Sequence, residues 1–310
     1  MSLVSEPTSA PPLSPTANTV EIMSTDAVRA ANRVTVIEQR SAWAIFDLRE
    51  LWQYRDLLVA LARRDVKLRY RQTALGAIWV LLQPLLGAGV FTILFTGLTD
   101  TSAGRVPTFV LAFAGMIGWS AFSSTVMKAG TSLIGNSSLV SKVYFPRLAL
   151  PFSTVYSTLL DLGVSVIVLV VLMLVTRTAP SFYCLLSLLW IVPMVLLGMG
   201  IGLFTGALMV SYRDVGPIQS MALQYATYVA PAGYTLSQVL GKMPNAYWFF
   251  QLNPLSHLLE GLRWSLFGAA NGMVAPSVGG VAYALLSAIL IFFSGMYLFG
   301  RMERRFADVI

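Results

Sequence analysis

The sequence predicts an all-α integral membrane protein: six transmembrane helices, an N-terminal amphipathic interface helix, and re-entrant helices between spans five and six. Three observations predict it. Apolar stretches fill the chain from Gly76 to Gly300, and a nearly uncharged run of about 18 or more residues crosses a hydrocarbon core of about 30 Å as a helix. The 310 residues are 56% hydrophobic and only 11% charged, with a mean hydropathy of +0.71, which is more apolar surface than a soluble fold of this size hides. The basic residues are also distributed unevenly between the two sides of those stretches.

Residues 1–48 are expected to form a disordered cytoplasmic tail, because the first 40 are dominated by Pro, Ser, Thr and Ala. No basic segment followed by an apolar run stands there, so no cleaved signal peptide is expected and the first span acts as the insertion signal. The segment 49–75 is the amphipathic helix. Leu51, Tyr54, Leu58 and Leu61 fall on one face, with Arg55, Asp56, Arg63 and Asp65 displaced around the cylinder. Trp52 and Tyr54 suit a water–lipid boundary. Two readings fit: a helix lying on the inner leaflet, or a lever joining a cytoplasmic partner to the first span.

The transmembrane domain, 76–300, divides into spans at 76–98, 108–128, 148–176, 181–210, 218–240 and 277–300, followed by a cytoplasmic tail, 301–310. Gly76 and Trp79 enter the first span, and Gln83-Pro84 puts an amide and a helix kink inside the bilayer. The loop after the second span reads GNSSLVSKVYFPRLALP. Asn136 or Ser137 can cap a short helix through 141–143, stopped by Pro146; it serves either as a docking knob or as an ordinary turn. Asp161 lies near the centre of the third span, where a lone carboxylate costs about 2.5–3.5 kcal/mol and turns toward the bundle. One acid without a partnered Lys, Arg or second acid in other spans makes a poor proton relay, so a structural hydrogen bond or protonation in place is favoured over ion coupling or substrate contact. The fourth span is long enough to tilt. The fifth is polar through Gln219, Gln224, Tyr225, Thr227, Tyr228 and Tyr234 and breaks near Pro231; such helix is tolerated where it faces protein or a cavity, so this span is the best candidate to line a path. The segment 241–277 contains AYWFFQLNPLSHLLEGLRWSLFG, read as two short re-entrant helices with Asn253-Pro254 as a turn and helix start. Glu260 and Arg263 stand three apart on the second and can pair.

Charge orients the spans. With the N-terminus inside, only Arg105, Arg177, Lys242 and Arg263 of the 21 basic residues fall outside, so both termini are expected in the cytoplasm. The net charge of +7 follows from that asymmetry and from anionic headgroups, and no nucleic-acid partner is expected. Cys184 and His257 are each the only one of their kind, which argues against a disulfide framework and against metal within one chain. No phosphate-cradling GxxxxGK[ST], HExxH, GxSxG or catalytic carboxylate pair occurs. No catalytic residue is expected, and any ATP used must be bound by another polypeptide.

Four segments, RRDVKLRYRQTALGAIWVLLQPLL, NSSLVSKVYFPRLALP, SYRDV and NPLSHLLEGLRWSLFG, in register with six spans, resemble the permease subunit of bacterial ABC exporters for lipid-linked polysaccharides, such as O-antigen and teichoic-acid exporters. The resemblance covers Leu51 to the C-terminus. It implies a homodimer in the cytoplasmic membrane, paired with two nucleotide-binding subunits that bind ATP and Mg. It implies an interface helix at 51–62 and a coupling helix at 136–146, so that Leu51, Tyr54, Leu58, Asn136, Leu139, Lys142 and Phe145 contact the ATPase. It implies an outer gate that includes Asn253, Pro254, Glu260 and Arg263. It also suggests a channel on the dimer axis whose aromatic wall, here Trp79, Phe91, Trp119, Phe122, Tyr156, Tyr225 and Tyr228, contacts sugar. Many relatives carry Ser-Pro in the fifth span; this chain has Ala230-Pro231, so no serine contact is expected there. A drug or small-lipid exporter of the same superfamily would need fewer polar aromatics. A membrane enzyme acting on polyprenyl-linked sugars would want clustered acids and bases, whereas Glu50, Asp56, Asp65 and Asp214 read as a solvated charge pattern.

Overall fold

The computed structural model describes residues 52–71, 78–96, 106–142, 145–242 and 244–309. Among the described residues there is no strand, and the α-helices in chain order are α1 Arg55–Arg71, α2 Ile78–Thr96, α3 Thr108–Gly135, α4 Ser137–Val140, α5 Ala149–Val175, α6 Ser187–Ser211, α7 Val215–Val229, α8 Leu236–Lys242, α9 Tyr247–Leu252, α10 Pro254–Phe267 and α11 Val278–Val309. A 3₁₀ turn, Cys184–Leu186, leads into α6. The tail 1–48 lies outside the described residues.

Four segments are long and apolar enough to cross a membrane: Thr108–Gly135, Ala149–Val175, Cys184–Ser211 and Val278–Glu303. The first expected span corresponds to α2, whose apolar part is the shorter Leu81–Leu94 and which continues through Pro84. The fifth expected span is two helices, α7 and α8, separated around Pro231. Proline there has no N–H to give a helix ladder, and Ala230 before it takes the extended conformation (φ −79°, ψ 136°).

α3 is the central helix. It packs against α2, α5, α6, α7 and α10 and is the most buried of the four long apolar segments. Its contact with α6 is close because Gly198, Gly202 and Gly206 recur every fourth residue on one face of α6. Side chains at these positions would press on the Phe122 and Val126 carbonyls, the Ala129 methyl and the Gly130 backbone. A different face of α6 presents Gly200 to Gly295 of α11, backbone against backbone. Small residues let helices approach where lipid supplies no hydrophobic drive for association.

α5 shows the inverted pattern of a membrane helix. Ser153, Thr154, Ser157, Thr158, Asp161 and Ser165 are buried, while Ile167, Val171, Leu174 and Val175 are exposed. In hydrocarbon the polar groups must find protein partners and the apolar ones need none. At one end of the bundle a separate apolar cluster joins Leu57, Leu58 and Leu61 of α1 to Leu139, Phe145, Leu148, Met296 and Phe299. Arg147 Nη1 ties the same end to α11 by donating to the Glu303 carbonyl at 2.6 Å.

Candidate functional site

At the α1 end, the expected knob is a single turn, α4, which stops at Val140, short of Ser141 and Lys142; Val143 lies outside the described residues. Asn136 makes no side-chain cap there, because its amide is used elsewhere. Nδ2 donates to the Ser132 carbonyl at 2.8 Å, and Oδ1 accepts from the Arg64 guanidinium, which also pairs with Asp65 at 2.9 Å. Thus Asn136 fastens α1 to the end of α3. Leu58, Leu139 and Phe145 meet in the apolar cluster; Tyr54 is half-buried and Lys142 is exposed. Leu51 lies outside the described residues.

Asp161 does have a cationic partner. Lys128 Nζ stands 2.8 Å from Asp161 Oδ2 and donates to Ser157 Oγ at 3.1 Å and Thr158 Oγ1 at 3.3 Å. The sequence reading ended the second span at Lys128, but α3 continues to Gly135, which sets the ammonium against the polar face of α5. The expected hydrogen bond to a neighbouring helix is therefore an ion pair, with side chains 19% and 12% exposed. A cleft of about 320 Å³ runs from it to α1, lined by Asp65, Lys128, Thr131, Ser132, Gly135, Asn136, Thr154 and Ser157. Beyond the pair, Ser120 and Ser124 face Thr158, Asp161 and Ser165. The missed signal was the four-residue spacing of Ser120, Ser124 and Lys128, matched on α5 by Thr154, Thr158, Asp161 and Ser165.

The expected outer-gate residues form a buried staple across the helix break. The Arg263 side chain is fully buried. Nη2 donates to the Pro231 carbonyl at 2.7 Å and the Ala232 carbonyl at 2.5 Å, Nε to the Leu111 carbonyl at 3.4 Å, and Nη1 pairs with Glu260 Oε1 at 3.4 Å. The same Glu260 oxygen accepts the Leu236 N–H at 2.8 Å, at the start of α8. A break exposes carbonyls that buried backbone must satisfy, and one guanidinium carries five donors. Gly115 makes room, since a side chain there would occupy the place of the Arg263 guanidinium. Asn253 caps α10 by accepting from Leu255 N at 3.0 Å, with Pro254 in its first turn. The Glu260–Arg263 spacing was legible; the backbone partners were not.

An aromatic group lies next to the break, where Phe91 packs against Gly233. Tyr234 donates its hydroxyl to the Tyr228 carbonyl at 2.6 Å, and the Phe91 ring lies 6.0 Å from that of Tyr228 and 6.2 Å from that of Tyr234. Phe91 is buried, whereas Tyr225 and Tyr228 are 61% and 57% exposed on α7, in line with Ile218 and Met221. Trp119 and Phe122, ring centres 5.5 Å apart, are buried in α3, in the same apolar core as Phe91 and Tyr234. Tyr156 stands apart, beside α1, α6 and α11. The Trp79 side chain lies outside the described residues.

Three curated proteins are similar over most of their length. The O-antigen export system permease protein RfbA of Myxococcus xanthus is 27% identical over 263 residues, 85% of this chain and 98% of the relative. The protein of the same name from Klebsiella pneumoniae is 26% identical over 261 residues, 82% and 95% of the two chains. The polysialic acid transport protein KpsM of Escherichia coli is 25% identical over 255 residues, 79% and 92%. The family described as ABC-2 type transporter matches residues 56–267, from the first turn of α1 to the last residue of α10, a stretch that holds the ion pair, the staple and the aromatic group, and the chain belongs to that family.

Proposed function

We propose that this chain is the transmembrane subunit of an ATP-driven ABC transporter that exports a lipid-linked polysaccharide across the bacterial cytoplasmic membrane. The observation that carries the reading is α7: an interrupted helix whose aromatic side, Tyr225 and Tyr228, stays exposed in a single chain while its break is held by a buried arginine. The curated relatives named for O-antigen and polysialic acid export support the substrate class. In this reading α2, α3, α5, α6, the pair α7–α8, and α11 are the six spans, with both termini in the cytoplasm. Two copies assemble with two nucleotide-binding subunits, which bind ATP and Mg. α1 and α4 receive their motion, and Asn136 passes it to α3 through its bonds to Arg64 and Ser132.

The polymer passes between the copies along Tyr225 and Tyr228, with the buried Phe91 ring packed behind Tyr228. Flat rings stack on the C–H faces of sugars, and a wall without fixed charge does not arrest a moving chain. α9 and α10 form the outer gate, and the staple makes α10 and the break in the fifth span move together. Depleting the chain in its host tests the reading. Lipid-linked glycan should accumulate on the inner side of the membrane and disappear from the cell surface, and the chain should co-purify with an ATPase. Unchanged surface glycan under depletion would overturn it.

A further inference from the structure

A cavity of about 350 Å³ opens on the side of the bundle where Tyr156 stands, among α1, α5, α6 and α11. Leu58, Val59, Ala62, Phe152, Tyr156 and Met199 are among its walls. The wall presents little that is polar: Ser153 Oγ already donates to the Leu150 carbonyl at 2.7 Å. Val59 and Tyr156 are 44% and 47% exposed at its rim, so the space opens outward. On α1, Arg55 precedes Leu58, Val59 and Ala62 by three, four and seven residues, and Arg63 follows Val59 by four. Both arginines therefore share or border the stripe that faces the cavity, and both are exposed.

We propose that this crevice is a lipid site: it holds one acyl chain of an anionic phospholipid, with the phosphate between Arg55 and Arg63. The inference rests on the membrane placement of α1 proposed above. The lining is almost wholly apolar and the charges that border it on α1, Arg55 and Arg63, are both basic, a pattern that matches an amphiphile with one apolar tail and an anionic head. A lipid tail fits an apolar slot, and the two exposed basic residues on α1 supply what an anionic headgroup needs. A phospholipid is favoured over the tail of the exported lipid, since the aromatic group of the proposed path lies on α2 and α7, neither of which walls the crevice.

The full chain is reconstituted in phosphatidylcholine vesicles containing phosphatidylglycerol with a diazirine near the end of one acyl chain, or phosphatidylcholine carrying the same group. After irradiation, labelled peptides are counted. Phosphatidylglycerol should label 152–156 and 195–199 preferentially. Each arginine near an anionic headgroup contributes a factor of about five, so Arg55→Ala with Arg63→Ala should reduce that labelling roughly 25-fold, toward the phosphatidylcholine level. Val59→Trp should fill the crevice and remove labelling by both lipids. The double arginine variant alters only exposed positions and remains informative if the tryptophan variant folds poorly. Equal labelling by the two lipids in the unaltered chain would overturn the site, as would crevice labelling no denser than on Leu174 and Val175. Displacement of phosphatidylglycerol by equimolar polyprenyl phosphate would assign the crevice to the exported lipid and overturn the proposal. These readouts count lipid contacts, so a different exported substrate would leave them standing. Labelling on no apolar face would remove the membrane placement and the site together.

Discussion

Lys128 and Asp161 meet 2.8 Å apart on facing sides of α3 and α5, and the ammonium also donates to Ser157 and Thr158. Such a pair adds little over a well-packed apolar pair, but removing one partner strands the other charge. Asp161→Asn should therefore destabilise the purified protein by about 3 kcal/mol, the low end for a broken buried pair because both groups keep polar neighbours. Thermal unfolding in detergent measures this directly, and Lys128→Met combined with Asp161→Leu should recover most of the loss. Export normalised to the amount of folded protein should stay near normal in Asp161→Asn; its collapse would mean the carboxylate acts on the substrate. Arg263 is a harsher case. Arg263→Met would orphan the Pro231 and Ala232 carbonyls and leave Glu260 uncompensated beside them, at a cost of about 3–5 kcal/mol. Glu260→Gln keeps an acceptor for Leu236 N–H but removes the carboxylate that faces the buried Arg263. It should cost about 3 kcal/mol, less than Arg263→Met because Arg263 keeps its carbonyl acceptors. Equal losses in the two variants, read from the same unfolding curves, would show that the backbone bonds of Arg263 contribute nothing.

Among the elements, the break between α7 and α8 was legible because Pro231 and a run of polar residues occupy one short window. The end of α3 was misplaced because hydropathy falls at Lys128, and the carboxylate that makes a lysine tolerable inside a helix stands on α5, some thirty residues away. The α6 contacts were written as glycines four apart, a periodicity of small residues that a search for apolar runs passes over. The backbone acceptors of Arg263 follow from how the chain breaks at Pro231, and no local pattern near Arg263 announces them. For the proposed path, replacing Tyr225 and Tyr228 together by Ala should cut polymer export several-fold while assembly with the ATPase is unchanged. Replacement by Phe should cost less, because the stacking face of each ring survives. Both side chains are more than half exposed, so neither change should alter abundance much. An export defect that vanishes once normalised to the amount of complex would identify the tyrosines as packing groups.

For the molecule as a whole, the proposed division of labour between this chain and an ATPase has a measurable signature. The sequence contains no phosphate-cradling GxxxxGK[ST] loop, so the purified chain alone should hydrolyse no ATP, and activity should arise only on addition of a nucleotide-binding subunit. The proposed docking surface can be probed without disturbing the fold. Lys142 is exposed just beyond α4, and a surface substitution clear of core and caps shifts stability by about 0.5 kcal/mol or less. Asn136 is different, since its bonds to Arg64 and Ser132 join α1 to α3 and a change there mixes docking with folding. Lys142→Glu should therefore leave the melting temperature of the isolated chain within a degree or two while reducing both co-purification with the ATPase and ATP turnover of the mixture. Full turnover by the isolated chain, with contaminating ATPases excluded, would refute the transport-subunit assignment. Normal docking of Lys142→Glu would instead leave that assignment intact and move the coupling surface away from the end of α4.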